Sequence, residues 1–405
     1  MQLAVILIFL FVYLGMFLGE IPGLALDRTG IALVGAILVM MTGVLEPMQA
    51  WDAVDVPTIA LLFGLMVVSS QFRLGGFYSA VTLRLSEWDL SPARFLFWLM
   101  AVSGILSAIL ANDIVCLAMT PILIEGCLKR GLNPIPFAIG LACSANVGSA
   151  ATLIGNPQNM LIGQKLQVSF SGYLLDSLVP VLLGMVASWG LLCRLYHHRW
   201  HTNLPPRTTP HQPFNAWQSS KGFVVVMVLL LIFLFTSLPR ELAALAAAGV
   251  LLMSRRMASR EMLGLVDWQV LVLFIGLFVV NHALESSGVL GGVIQGMQGA
   301  GIDPTHPGLL FGLSVILSNL VSNVPAVMLL LPVATHPLAA AVLALSSTLA
   351  GNLIIVGSIA NIIVVDKAAE FGITISWREH AHAGVPITGI TLLIAGGWLW
   401  LRGGF

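Results

Sequence analysis

Apolar runs of about 20 residues, each able to cross roughly 30 Å of hydrocarbon, recur along this chain from its first residues to its last. Of its 405 residues, 58% are apolar and 9% charged, against about a quarter charged in soluble globular proteins. In water, a core of this size would leave its surplus apolar side chains exposed; lipid as solvent removes that problem. The pattern therefore predicts an all-α polytopic membrane protein. The N-terminal run is followed by many others, so it reads as a first span rather than a cleaved signal. The 18 basic and 18 acidic residues cancel, and no basic tract is long enough for nucleic acid. Cys116, Cys127, Cys143 and Cys193 show no CxxC or Cys/His spacing and read as buried free thiols. No metal site and no cofactor are expected.

Full spans are predicted over 3–20, 27–46, 54–72, 174–194, 221–238, 240–254, 268–286 and 384–401. Four further apolar stretches, near 95–128, 135–163, 308–335 and 338–365, are too long for one helix. Each has polar residues at its middle: Ala111-Asn112-Asp113, Asn146 through Asn159, Ser322-Asn323, and Gly351 through Asn361. A continuous helix needs no such interruption. Two stretches read as re-entrant hairpins and two as crossing helices with an unwound centre. Residues 195–220 carry Arg199, Arg207 and four histidines among prolines, and read as a wet connector. Placing that connector in the cytoplasm puts 15 of the 18 basic residues there, leaving Lys165, Arg240 and Arg402 outside. Both termini then fall on the external side of a cell (inner) membrane.

The two halves match. Asp55 through Gly64 corresponds to Asp267 through Gly276, Ile109 through Pro121 to Leu320 through Pro332, and Thr152 through Asn159 to Ile354 through Asn361. Each half holds five crossings, one of them discontinuous, plus one re-entrant hairpin. An odd number of crossings inserts the second copy upside down. The expected organisation is a first half over 1–194, a cytoplasmic linker over 195–220 and a second half over 221–405. Inverted repeats of discontinuous helices are the usual build of transporters that work by alternating access.

Backbone groups freed at a hairpin tip or helix break must find partners in hydrocarbon. Short amides and hydroxyls can supply them, and the same groups can hold an ion or a polar solute at the exposed helix ends. The candidate substrate or ion ligands are Asn112, Asp113, Asn146, Ser149, Thr152, Asn156, Asn159, Ser322, Asn323, Asn352, Ser358 and Asn361. Asp113 stands out, because its counterpart in the second half is Val324. An intramembrane carboxylate is costly unless it is paired, ligates a cation or holds a proton. It is the expected proton-coupling group, with helix capping as the alternative role. Asn281, His282 and Glu285, near the end of their span, are candidates for a gate. No Lys or Arg occurs within the hairpin tips or the breaks, which favours a neutral solute or a single cation over an unaided dicarboxylate.

Ala111-Asn-Asp-Ile-Val-Cys-Leu-Ala-Met-Thr-Pro121 resembles the first hairpin motif of the ion transporter superfamily. Ser144-Ala-Asn-Val-Gly-Ser-Ala-Ala-Thr-Leu-Ile-Gly-Asn-Pro-Gln-Asn159 is similar to its most distinctive signature, with Leu320 through Val327 and Gly351 through Asn361 as second-half counterparts. The pair Asn112-Asp113 and the Asn-Val-Pro at 323–325 look closest to the arsenite permease and NhaD-type antiporter branches. Both tips lack the threonine of the dicarboxylate branch. The resemblance implies a scaffold part, often dimerising, and a moving part that holds the hairpins and broken helices. It also implies a soluble ATPase subunit as partner if the chain is an arsenite permease.

The expected function is secondary active export of a small inorganic solute in exchange for protons, with arsenite or antimonite first. Such a protein would confer arsenical resistance. A sodium/proton antiporter and a sodium-coupled anion or dicarboxylate symporter are the alternatives. No Ser/His/Asp arrangement supports an enzyme. Lipid and a small inorganic solute are the expected partners, with protons or sodium as coupling ion.

Overall fold

The computed structural model describes residues 2–19, 23–205, 212–254 and 256–403, and among them the chain is mostly helical, with an isolated β-bridge from Leu132 to His201. Arg207, His211 and Arg255 lie outside the described residues. Ten helices precede the connector: α1 (Gln2–Leu18), α2 (Arg28–Met41), α3 (Pro47–Asp52), α4 (Val56–Leu74), α5 (Phe77–Glu87), α6 (Pro92–Ile109), α7 (Asn112–Lys129), α8 (Pro134–Ser149), α9 (Pro157–Lys165) and α10 (Phe170–Leu195). Ten follow it: α11 (Ala216–Phe235), α12 (Arg240–Leu252), α13 (Ser259–Leu263), α14 (Trp268–Ser286), α15 (Val289–Gly299), α16 (Pro307–Val321), α17 (Asn323–Leu330), α18 (Ala339–Ala350), α19 (Ile359–Glu370) and α20 (Trp377–Leu401). Side-chain caps fix many of the starts. Asp27, Asp55, Asn156, Ser169, Asn215, Asp267 and Ser376 each accept a backbone N–H from the first turn that follows.

Six helices, α4, α6, α10, α11, α14 and α20, are long and apolar enough to cross a bilayer. The protein is an all-α, multi-pass membrane protein, and its outward-facing leucines, valines and phenylalanines contact lipid. Three expected spans are shorter than the sequence suggested. α1 has 17 residues, α2 has 14 and α12 has 13. At 1.5 Å per residue, α2 reaches only about 21 Å. It ends at Thr42, where Gly43 turns the chain at positive φ into the short α3. The four long stretches each break in two. The chain turns at 110–111 between α6 and α7, and at Ser322 between α16 and α17. It unwinds over 150–156 between α8 and α9, and over 351–358 between α18 and α19 apart from one 3-10 turn at Ile355–Gly357. Helices α5 and α15 are short pieces that follow α4 and α14 after a glycine at positive φ, Gly76 and Gly288. Their 11 residues gave too weak a signal to separate them from loop in the sequence.

Two glycines let the long helices approach closely. A Cβ on Gly64 of α4 would lie 2.7 Å from the Ala244 carbonyl carbon of α12, and one on Gly276 of α14 would lie 2.7 Å from that of Ala32 in α2. Small residues at such crossings replace the hydrophobic drive that lipid cannot provide. Polar contacts gather at the two ends of the bundle. At one end Arg199 pairs with Glu379 and Lys221 donates to the Val250 carbonyl. At the other, Lys165 pairs with Asp55, Arg402 with Asp176, and Arg240 Nη2 donates to the Gly163 carbonyl.

Because backbone, not a flexible side chain, faces each glycine, Gly64→Ala and Gly276→Ala should each destabilise the protein by about 1–3 kcal/mol. Thermal unfolding in detergent should show two lowered midpoints of similar size; unchanged midpoints would contradict the close packing.

Candidate functional site

The breaks are repaired from within. In the first, the Asn159 amide Nδ2 donates to the carbonyls of Ser149 (3.3 Å) and Thr152 (2.9 Å). In the second, Asn361 Nδ2 donates to those of Gly351 (2.7 Å) and Ile354 (3.1 Å). The four acceptors stand at matching positions in the two aligned segments, so the same side chain closes the same loop twice. Asn156 caps α9 by accepting the Asn159 backbone N–H at 2.9 Å, and its Nδ2 donates to Ser149 Oγ at 2.9 Å.

Asn146 ties the breaks to each other. Its Nδ2 donates to Asn352 Oδ1 at 2.8 Å and to Asn361 Oδ1 at 3.1 Å. Its Oδ1 accepts from Ser358 Oγ at 2.9 Å and from Asn112 Nδ2 at 3.3 Å. The first tip joins this network through Asn112, whose backbone N–H also reaches the Gly155 carbonyl at 3.2 Å. Ser149 Oγ donates to the Asn146 carbonyl, and Thr152 Oγ1 donates to that of Ala108 in the hairpin. Of the twelve candidate ligands, nine therefore share one buried network: Asn112, Asn146, Ser149, Thr152, Asn156, Asn159, Asn352, Ser358 and Asn361.

The other three stand apart. Asn323 is buried at the second tip, and its Oδ1 has no hydrogen-bond partner among the described residues. Ser322, half-buried, turns the chain there at φ 75 and ψ 162, a conformation that costs a non-glycine residue about 1–3 kcal/mol. Asp113 is half-buried and faces a cavity of about 30 Å³ lined by Leu62, Leu65, Met66, Pro157, Met160 and Asp267. That is room enough for at least one water. Two carboxylates thus face one small space between α4, α7, α9 and α14.

Asn112 Oδ1, Asn323 Oδ1 and Asn319 Oδ1 are buried acceptors without partners among the described residues, and Asn352 Nδ2 is a donor in the same condition. Asn319 was not anticipated, although it lies one helical turn before the second tip. Thr348 and Gln158 were also missed: Gln158 Nε2 and Asn156 Nδ2 both donate to Thr348 Oγ1, at 3.1 and 3.3 Å. Thr348 follows Ser346 and Ser347 in α18, and that run of small hydroxyl residues carried no motif that could flag it. Tyr173 braces the first break by donating to the Ala150 carbonyl at 2.7 Å. Asn281, His282 and Glu285 line a separate cavity of about 300 Å³ with Lys165 and Met328. No group of three His, Cys, Asp or Glu residues close enough to hold a metal occurs among the described residues.

Comparison with known proteins places this geometry. The family model for the CitMHS citrate transporters matches residues 5–350. The chain belongs to that family. It is a secondary active transporter of small solutes, not an enzyme. Among curated relatives, the inner membrane protein YbiR of Escherichia coli is 30% identical over 83% of this chain and 86% of its own. A silicon efflux transporter of rice, Oryza sativa subsp. japonica, is 28% identical over 91% of each chain. A putative transporter arsB of Dictyostelium discoideum is 25% identical over 92% of this chain and 87% of its own. The fold is also that of the Alcanivorax borkumensis YdaH transporter, whose crystal structure aligns with a TM-score of 0.61 over 100% of this chain and 98% of that one, at 12% identity. The names of the family and of these relatives thus span more solutes than the arsenite and sodium/proton branches that the tip motifs resemble.

Removing the Asn159 amide strands the Ser149 and Thr152 carbonyls, and removing that of Asn361 strands the Gly351 carbonyl and takes an acceptor from Asn146, at about 1–3 kcal/mol each. Asn159→Ala and Asn361→Ala should therefore lower the thermal midpoint by similar, large amounts, whereas Ser358→Ala, which breaks a single side-chain bond, should lower it less. Equal, small effects of all three would contradict the repair.

Proposed function

We propose that this transporter exports a small neutral inorganic acid bearing several hydroxyl groups, in exchange for protons. Arsenite and antimonite as trivalent hydroxides come first, and silicic acid presents the same chemistry. The carrying observation is the set of unpaired groups at and beside the tips and in the second break: three buried amide oxygens, one amide nitrogen and no Lys or Arg. Acceptors in excess suit a solute rich in O–H donors. Citrate would instead need cationic donors for its carboxylates. The names of the rice and Dictyostelium relatives point to the same class of solute.

The cycle follows from two halves inserted oppositely, 1–194 and 221–405, joined by a cytoplasmic linker over 195–220. Its supports are the doubled glycine crossings and the doubled amide repairs. In this reading both termini lie outside an inner membrane, and the hairpins enter from opposite faces. Asp113 carries the proton: it gives it up inward as solute binds at the tips, and takes another from outside after the solute leaves. One charge falling through 100 mV supplies about 2.3 kcal/mol. A homodimer through the scaffold helices belongs to the same reading, as does a soluble ATPase partner for an arsenite permease; co-purification tests both.

A sodium/proton antiporter is the second reading, because unpaired amide oxygens beside a carboxylate also suit a single cation. Proteoliposomes with an imposed pH gradient separate the two. Arsenite, antimonite or silicic acid should move against the proton gradient, and Asp113→Asn should cut that flux about tenfold or more, since an amide cannot exchange a proton. Sodium flux without solute flux would favour the antiporter. Citrate uptake alone, or full activity of Asp113→Asn, would sink the proposal.

A further inference from the structure

The doubled contacts at the glycines and amides make one single contact conspicuous. Lys165, in the last turn of α9, lies 2.7 Å from Asp55, the N-cap of α4. The matching residues of the second half are Lys367, in the last turn of α19, and Asp267, the N-cap of α14. All four residues have kept their type and their place at a helix end, yet the second pair is not formed. Lys367 instead pairs with Glu370, 2.6 Å away on its own helix. Asp267 caps Val270 and meets no basic side chain within ion-pair distance among the described residues.

The surroundings break symmetry in the same sense. α9 packs against α4, whereas α19 makes no comparable contact with α14. Arg240 Nη2 donates to the Gly163 carbonyl near the end of α9 at 2.7 Å. Its counterpart Arg28 donates to the Met16 carbonyl at 3.2 Å and leaves the end of α19 alone. Three contacts between a broken helix and the helices beside it are thus made in one half and absent in the other.

We infer that Asp55–Lys165 and Asp267–Lys367 are alternate latches, the first closed in the conformation seen here and the second closed in the opposite one. The inference rests on the reading of two oppositely inserted halves. If exchange of the halves' conformations interconverts the two states, each half must be able to make the contact that the other makes now. The residues needed for that second contact are present. Closing it would also turn Asp267 away from the cavity it shares with Asp113 and give it a cation as partner, so the second latch bears directly on the coupling carboxylate. Half-exposed ion pairs bias an equilibrium by a few-fold rather than locking it, which suits a device that must open on every cycle.

Paired cysteines in native membranes test this, with the four natural cysteines replaced by alanine. Asp55→Cys/Lys165→Cys should cross-link readily on mild oxidation. Asp267→Cys/Lys367→Cys should cross-link too, and adding Lys165→Met should raise its yield about two- to fivefold by opening the first latch. Failure of the second pair to cross-link in either background, while the first does, would overturn the inference. Should the second pair prevent folding, Asp267→Asn in the first-pair protein should raise that pair's yield by a similar factor, and an unchanged yield would overturn it. Single Lys165→Cys and Lys367→Cys proteins, labelled with a membrane-impermeant thiol reagent, separate the two claims. Labelling from opposite sides with no second cross-link removes the latch alone; labelling from the same side removes the inverted halves beneath it.

Discussion

A backbone that leaves its helix inside hydrocarbon must have its N–H and C=O groups satisfied by protein, because lipid offers none. Two helices of this transporter do so near their middles, and the rest of the site is arranged around that requirement. Asn159 and Asn361 each close the loop in their own half by donating to two carbonyls. With those carbonyls occupied, Asn146 can spend both ends of its amide on joining the breaks and holding the first tip. The network is therefore structural first. Its capacity to hold a solute lies in what the repairs leave over, namely the unpaired oxygens of Asn112, Asn319 and Asn323.

Much of this was legible in the sequence because membrane insertion punishes exceptions. An asparagine in a long apolar stretch is costly, so Asn112, Asn146, Asn159, Asn352 and Asn361 announced themselves, and the positions of the helix breaks followed. Nine of the twelve candidate ligands do meet in one network. Whether they bind the solute is a separate matter, since a repairing amide and a binding amide look alike in sequence. Helix length was less legible. Apolar residues continue past the capped end of α2, at Val44 and Leu45, so hydropathy overran a helix that stops at Thr42. Thr348 and Asn319 escaped notice because a few small polar residues on a mostly apolar helix are common and gain meaning only from what faces them. The pairing of Asp267 with the Asp113 cavity could not be read at all, because it joins residues 154 positions apart through packing alone.

The two halves are alike in their repairs and unlike in their charges. Asp113 has Val324 opposite it in the repeat, and the closed Asp55–Lys165 pair has an open counterpart. The first difference is fixed in the sequence, so it can mark where energy enters. The second is not, since both pairs of residues exist, so it can mark which state the molecule occupies. In the proposed cycle, the first would set the coupling and the second the conformation.

The central claim is that solute binds at the two tips beside the braced breaks, and arsenic allows that to be seen directly. Crystals grown with arsenite should give an anomalous difference peak at the arsenic absorption edge, among Asn112, Asn323 and Asn352. A peak confined to the cavity beside His282 and Glu285, or no peak under conditions where flux is saturated, would contradict the account.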